Sequence, residues 1–210
     1  MKTKYDFGNM KTLVLLALLG FAVGGCGDVL GEVPGGSDSD KSGSILSVEL
    51  INGSYDEDAT NQVDIVLTSG GCDDGSTEFY SDHYATVTIS NRALPNQTIQ
   101  TASWVYIREY DIEYIPVTIG APAVVSRNLI PVTDSVGIAP CSPTATECTG
   151  VTYTVEMVNV GQKAVIAAGY TGSQFTYNIR YVFRGVNDFG FVLQTEGYSN
   201  FYAANYDYCD

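Results

Sequence analysis

Apolar and polar residues alternate in several short stretches between residue 44 and the end of the chain. The clearest is 176–184, TYNIRYVFR, in which an aromatic or aliphatic residue occupies every second position from Tyr177 to Phe183. Such alternation is typical of antiparallel strands that bury one side and expose the other. Taking all runs rich in Val, Ile, Thr and Tyr that are bounded by turn residues, we predict strands at residues 45–51, 63–67, 84–90, 103–107, 110–117, 152–158, 176–184 and 191–198.

These strands predict an all-β fold, namely a single immunoglobulin-like antiparallel β-sandwich, where the term describes architecture and no family. The apolar phase slips between Ile107 and Tyr110, which indicates a bulge or a strand that changes sheets. The one short helix candidate is 163–169, KAVIAAG. Residues 118–150 contain four prolines and predict one long irregular connection, which is either functional or a meandering edge over one sheet.

The N-terminal segment has the features of a secretory signal peptide. Lys2, Lys4 and Lys11 precede a continuous apolar run at 13–23, and small residues follow it. The run is about half of the ~20 residues that a membrane-spanning helix needs, which disfavours a permanent transmembrane helix. Translation could begin at Met1 or at Met10. An ordinary secreted protein cut near Gly25 is the alternative to the lipid-modified form described next.

The end of this segment, Val23-Gly24-Gly25-Cys26, resembles the lipobox of bacterial lipoproteins, although that family prefers Leu where Val23 stands. The resemblance implies that residues 1–25 are removed and that a diacylglycerol is attached to Cys26. The residue that follows is Gly27 and not Asp, which under the bacterial sorting pattern implies the outer membrane, on its periplasmic or surface-exposed side. Residues 26–43 are rich in Gly, Ser, Pro and Asp and predict a flexible tether to a β-sandwich domain at 44–210.

The charge of the chain excludes one class of partner. There are 10 basic and 24 acidic residues, for a net charge of −14. Removing residues 1–25, which hold three lysines and one aspartate, leaves seven basic and 23 acidic residues and a net charge of −16. Nucleic-acid binding needs clustered Lys and Arg, so no nucleic-acid partner is expected. The same charge repels anionic headgroups, so the lipid rather than the protein surface must hold the domain at the membrane.

Four cysteines follow Cys26, and an even number in an exported chain indicates two disulfides. Three pairings are open, and the short spacing favours Cys141–Cys148, which leaves Cys72–Cys209. A thiolate metal site is the rival interpretation, but no CxxC spacing supports it. A single histidine also excludes a zinc site made of several histidines.

Acidic turns are a second candidate for a metal. They offer hard oxygen ligands for calcium, but without the EF-hand spacing, so we predict no cofactor, with calcium as the alternative. These residues are Asp56, Glu57, Asp58, Asp73 and Asp74.

Neither a GxSxG nor an SxxK motif is present, and the lone His83 is expected to be a hydrogen-bonded or surface residue and not a catalytic base. We therefore predict that the protein is not an enzyme. Tyrosine is frequent, with 15 residues against one tryptophan. Four tyrosines lie close together in the sequence near the C-terminus: Tyr198, Tyr202, Tyr206 and Tyr208. They are expected either to form a binding surface or to pack within the structure.

The predicted function is that of a lipid-anchored, non-catalytic cell-envelope module for binding or structural support. Its partner would be an envelope protein assembly or an envelope glycan. The alternatives are an envelope glycan hydrolase that uses paired carboxylates, and a calcium-dependent adhesin module. A CDDG turn at 72–75 together with the ending NYDYC resembles small β-sandwich lipoproteins of the bacterial envelope, which implies a cellular setting and no mechanism.

Overall fold

The computed structural model describes residues 42–54, 61–67, 80–95, 103–133 and 135–206, all within one compact unit of the chain. The all-β class is confirmed. The described strands are β1 (Ser44–Ser54), β2 (Gln62–Asp64), β3 (His83–Ala93), β4 (Val105–Pro116), β5 (Arg127–Pro131), β6 (Gly137–Ile138), β7 (Pro140–Cys141), β8 (Val151–Val158), β9 (Phe175–Asn187) and β10 (Val192–Ala204). One helix, α1 (Val160–Ala168), lies between β8 and β9.

The strands form two sheets in a sandwich-like arrangement. In the four-stranded sheet, β3 pairs with β1 on one side, and β8 and β7 also pair with it. The six-stranded sheet has the order β2-β10-β9-β4-β5, and β6 also pairs with β4. The sheets meet face to face where Gly197 of β10 packs against Val48 and Ile51 of β1: a methyl group on this glycine would lie 2.6 Å from Ile51 and 2.9 Å from Val48.

The expectation of a wholly antiparallel sandwich is wrong at two places. The long pairings are antiparallel, but β2 runs parallel to β10 and β7 runs parallel to β3. A tight hairpin forces its two strands to be antiparallel. Neither β2 nor β7 is joined to its partner by a hairpin, so the direction of these short strands is not constrained in that way. The immunoglobulin-like topology stays a prediction.

The predicted alternation is confirmed on both inner faces. In β9, Tyr177, Ile179, Tyr181 and Phe183 are all fully buried. In β8 the buried set is Tyr153, Val155, Met157 and the terminal Val158. The phase slip in β4 is also confirmed as a bulge: the register with β9 shifts between Ile107 and Glu109 while the strand stays in one sheet.

Nearly half of the twelve tyrosines for which the structure describes burial form part of the core. Five are almost fully buried, and each has its hydroxyl in a hydrogen bond with the backbone: Tyr110, Tyr114, Tyr153, Tyr177 and Tyr181. A buried phenol needs a partner for its hydroxyl, and here the bonds connect strands to loops and to the facing sheet. These five tyrosines therefore have a structural role.

Helix α1 begins three residues before the predicted start. Asn159 caps it: its side chain accepts from the backbone N–H of Gln162, and the Gln162 side chain accepts from the backbone N–H of Asn159, at 2.9 and 3.0 Å. This capping box is what fixes the helix start. The buried side of α1 is partly polar, because Gln162 and Lys163 are buried together with Ile166 whereas Val160 and Val165 are exposed.

The long connection at 118–150 pairs with both sheets, whereas the meandering edge expected from the sequence would cover one sheet; a functional role for it stays a prediction. Its strands β5 and β6 pair with β4, and its strand β7 pairs with β3. The predicted disulfide Cys141–Cys148 is present, with 5.6 Å between the Cα atoms. The loop it closes contacts β3, because the Arg92 side chain donates to the carbonyl of Ala145 at 2.6 Å.

Removing this disulfide is expected to cost about 2 kcal/mol of unfolding free energy. Closing so short a loop restricts the unfolded chain by about 2.5 kcal/mol in the chain-entropy estimate. The double variant Cys141→Ser/Cys148→Ser should therefore unfold at lower urea concentration than the wild type under oxidising conditions, with an unchanged slope. Loss of less than about 0.5 kcal/mol would contradict a stabilising role for this bridge.

Candidate functional site

A shallow groove lies on the outer face of the six-stranded sheet. It has a volume of about 450 Å³ and is lined by Ile115, Asn178, Tyr198, Ser199 and Asn200. The sheet register explains this grouping, because Ile115, Asn178 and Asn200 are paired neighbours on β4, β9 and β10. Alternate residues of a strand share one face, so Tyr198 stands beside Asn200. The volume is within the range of small-ligand sites.

The polar groups of the groove are partly held in place. Asn61 donates from its side chain to the Oδ1 atom of Asn200 at 3.1 Å, and Asn200 donates to the hydroxyl of Tyr202 at 3.4 Å. Asn178 is exposed, and among the described residues none forms a hydrogen bond with its side chain. The groove thus combines fixed amide groups with one amide that faces solvent.

Tyr198 supplies the aromatic surface of the groove. Its side chain is 64% exposed, which is the reverse of the core tyrosines. Its hydroxyl donates to the Oε2 atom of Glu196 at 3.0 Å, so the ring is held at one edge while its faces stay accessible. Among the four tyrosines that the sequence singled out, this one lies in the groove. Tyr202 lies next to it through Asn200, whereas the backbone N–H of Tyr206 donates to the buried Asp64.

Charged side chains beside the groove are paired with one another. Arg180 forms ion pairs with Glu196 at 2.5 Å and with Glu113 at 3.3 Å. The hydrogen bond from Arg180 lowers the pKa of Glu196. Further along the sheet, Arg184 lowers the pKa of Asp111 in the same way, at 2.5 Å. These two carboxylates are therefore ionised and paired with arginines at neutral pH.

A second polar cluster is buried where β2, β3 and α1 meet. His83 is 3% exposed and Lys163 is 1% exposed, and the Nζ atom of Lys163 lies 4.6 Å from the ring centre of Tyr80. The Oδ1 atom of buried Asp64 accepts from the backbone N–H groups of Val66 and Tyr206. Asp82 accepts from the first N–H of helix α1 at 2.7 Å. None of the residues that line the groove belongs to this cluster.

Burial changes the protonation of this cluster. Burial and the positive charge of Lys163 together lower the pKa of His83 to about 4, while a backbone hydrogen bond with Gln62 opposes them. Burial also lowers the pKa of Lys163 to about 8, although the charges of Asp64 and Asp82 raise it. At neutral pH His83 is therefore uncharged and Lys163 is mostly protonated. The sequence analysis missed Lys163; the one available signal was a lysine in an otherwise apolar helical segment.

Several predicted site residues lie outside the described residues. They are Cys26, Cys72, Cys209, Asp56, Glu57, Asp58, Asp73, Asp74 and Tyr208. Lipidation, the second disulfide and the calcium alternative therefore stay predictions. Within the described ranges, no three His, Cys, Asp or Glu side chains are grouped so that they could hold a metal ion. In the same part of the chain, no helix has both the length and the apolar character needed to cross a membrane.

Comparison of the chain with protein-family models, with curated proteins and with solved structures finds no match. The geometry of the groove and the sequence of the N-terminal segment are therefore the basis for a functional conclusion.

Proposed function

We propose that this protein is a lipid-anchored, non-catalytic module of the bacterial cell envelope that binds another envelope component. The observation that carries the binding role is the groove on the six-stranded sheet, where exposed Tyr198 lies beside Asn178 and Asn200. The anchoring role is supported by the lipobox-like sequence that ends at Cys26 and by the tether at 26–43. A location in the outer membrane follows from Gly27 under the bacterial sorting pattern.

The described carboxylates favour binding over hydrolysis. A glycosidase needs a carboxylic acid with a raised pKa to protonate the leaving group. Beside the groove the opposite holds, because Arg180 lowers the pKa of Glu196. Arg184 does the same to Asp111. This supports the non-catalytic proposal against the glycan hydrolase alternative.

The experiment places a photoreactive phenylalanine analogue at Tyr198 in the full chain in its native cells, with mass spectrometry of the captured material. We expect a reproducible envelope component to be captured. The matched control is the same analogue at Tyr84, which is also exposed (48%) but belongs to β3 of the other sheet. Equal capture at both positions would contradict binding through the groove.

The anchor is tested in the same cells. The wild type should carry covalently attached fatty acid, and the variant Cys26→Ser should carry none, as measured by labelling the cells with a fatty-acid analogue. Equal labelling of the two proteins would contradict lipid anchoring through Cys26. The photoreactive capture can be repeated in the Cys26→Ser variant. A component that is captured by the wild type but not by this variant reaches the groove only when the protein is anchored in the membrane.

A further inference from the structure

We infer that the groove on the six-stranded sheet binds a neutral, hydroxyl-rich glycan. This rests on the proposed function, and it names the class of ligand for the same site.

The lining residues match the two kinds of surface that a sugar ring presents. The side-chain amides of Asn178 and Asn200 each carry donors and an acceptor, as a pair of neighbouring hydroxyl groups requires. The exposed ring of Tyr198 and the aliphatic side chain of Ile115 offer apolar contact for the C–H side of the ring. A protein-binding surface, in contrast, has a more apolar centre, and here Ile115 is the one aliphatic residue among the five that line the groove.

The arrangement suits an extended chain rather than a compact molecule. Ile115, Asn178 and Asn200 lie in one row across three paired strands. Neighbouring strands are about 4.8 Å apart, so the row is roughly 10 Å long. Such a row offers repeated contacts to successive sugar units that lie across the strands. A polymer can lie in such a shallow groove without being enclosed by it.

The site needs little rearrangement before binding. Asn200 is oriented by Asn61 on one side and by Tyr202 on the other, and Tyr198 is held through Glu196. Side chains that are already ordered lose less conformational entropy when a ligand binds. Asn178 is the member whose amide has no hydrogen bond from the described residues and which therefore presents its donors and acceptor to a ligand.

The charge argues for a neutral glycan over an anionic one. The cation nearest to Tyr198 along the sheet, Arg180, is already paired with both Glu113 and Glu196. The chain as a whole carries a net charge of −14. An anionic polysaccharide would therefore meet repulsion, and Arg180, the described cation beside the groove, is already paired and would not offset it.

The test measures binding of the full-length purified protein to neutral glucan and mannan polymers and to the anionic polymer alginate. The method is affinity electrophoresis, followed by titration calorimetry. We expect retardation by at least one neutral polymer and none by alginate. Tyr198→Ala and Asn178→Ala should each weaken binding at least tenfold, whereas Tyr84→Ala should bind as the wild type does.

Other outcomes overturn the inference. They are binding to neither glucan nor mannan, retardation by alginate as strong as by the neutral polymers, and equal binding by Tyr198→Ala and the wild type. Capture of a protein by the photoreactive analogue at position 198, without any glycan binding, would overturn the glycan inference and leave the proposed function standing. If the photoreactive analogue captures nothing and no glycan binds, both the proposed function and the glycan inference are overturned.

Discussion

Replacing Phe201 with alanine is expected to lower the free energy of unfolding by about 3–5 kcal/mol, as is usual for a fully buried phenylalanine. Phe201 is 0% exposed. Its ring stacks on Tyr177, with 4.9 Å between the ring centres, and meets Tyr114 edge to face at 6.4 Å. Truncation would remove these aromatic contacts and leave a cavity between the sheets, and Tyr177 and Tyr114 would keep their hydroxyl bonds but lose their packing partner.

The measurement is urea unfolding followed by circular dichroism. Tyr198→Ala is the matched control, because it removes an aromatic ring from the same strand on its exposed side. It should change the free energy of unfolding by less than about 0.5 kcal/mol. A Phe201→Ala variant within about 1 kcal/mol of the wild type would show that the two sheets do not pack here as described.

Acidification is expected to destabilise the protein through His83. The pKa of His83 is about 4 in the folded protein against 6.5 in an exposed histidine. As the pH falls from about 6.5 to 4, the unfolded chain takes up a proton that the folded protein does not, so stability falls by about 3 kcal/mol. The charges that face this histidine include Lys163, itself near Asp64 and Asp82.

The check is the free energy of unfolding from pH 4 to pH 7 for the wild type and for His83→Gln. In the variant, the free energy of unfolding should fall much less between pH 6.5 and 4 than in the wild type. Carboxylates continue to titrate near pH 4 in both proteins. Identical slopes in the two proteins would mean that His83 is not buried in its neutral form.

The alkaline side of the same profile is expected to rise and then fall. The pKa of Lys163 is lowered from 10.5 to about 8, so between pH 8 and 10 the unfolded chain holds a proton that the folded protein has released. Stability should therefore increase by about 2–3 kcal/mol over this range. Above pH 10 the sign reverses, because burial raises the pKa of Tyr153 and Tyr177 to about 12. In Lys163→Met, the free energy of unfolding should not increase between pH 8 and 10 but should still decrease above pH 10. An increase that persists in this variant would contradict the assignment to Lys163.

Local sequence patterns were enough to predict most of the strands. The alternation in β8 and β9 has a period of two residues, and burial follows it because each strand has one face against the other sheet. The slip between Ile107 and Tyr110 predicted the bulge, since an extra residue must shift the phase of the side chains. The disulfide Cys141–Cys148 was predictable from the short spacing of the two cysteines along the chain.

The groove was not predictable, because its residues come from distant parts of the chain. Ile115, Asn178 and Asn200 become neighbours only through the register of three strands, and β4 is separated from β9 along the chain by the long connection, β8 and α1. Tyr198 was singled out, but for its place in a tyrosine-rich segment. The parallel pairing of β2 with β10 depends likewise on tertiary contacts. Lys163 was missed because burial of a lysine runs against its usual preference.

The hydrogen-bonded core tyrosines give the protein an optical signal of its own. Ionised tyrosine absorbs at longer ultraviolet wavelength than the neutral phenol, and burial raises the pKa of all five of these residues. Between about pH 10 and 12 these phenols stay neutral in the folded protein and ionise when the sandwich opens, so their proton release and unfolding become one event. After a jump into this range the exposed tyrosines ionise at once, and the slower growth of phenolate absorbance that follows would report, without any added dye, the rate at which the two sheets separate.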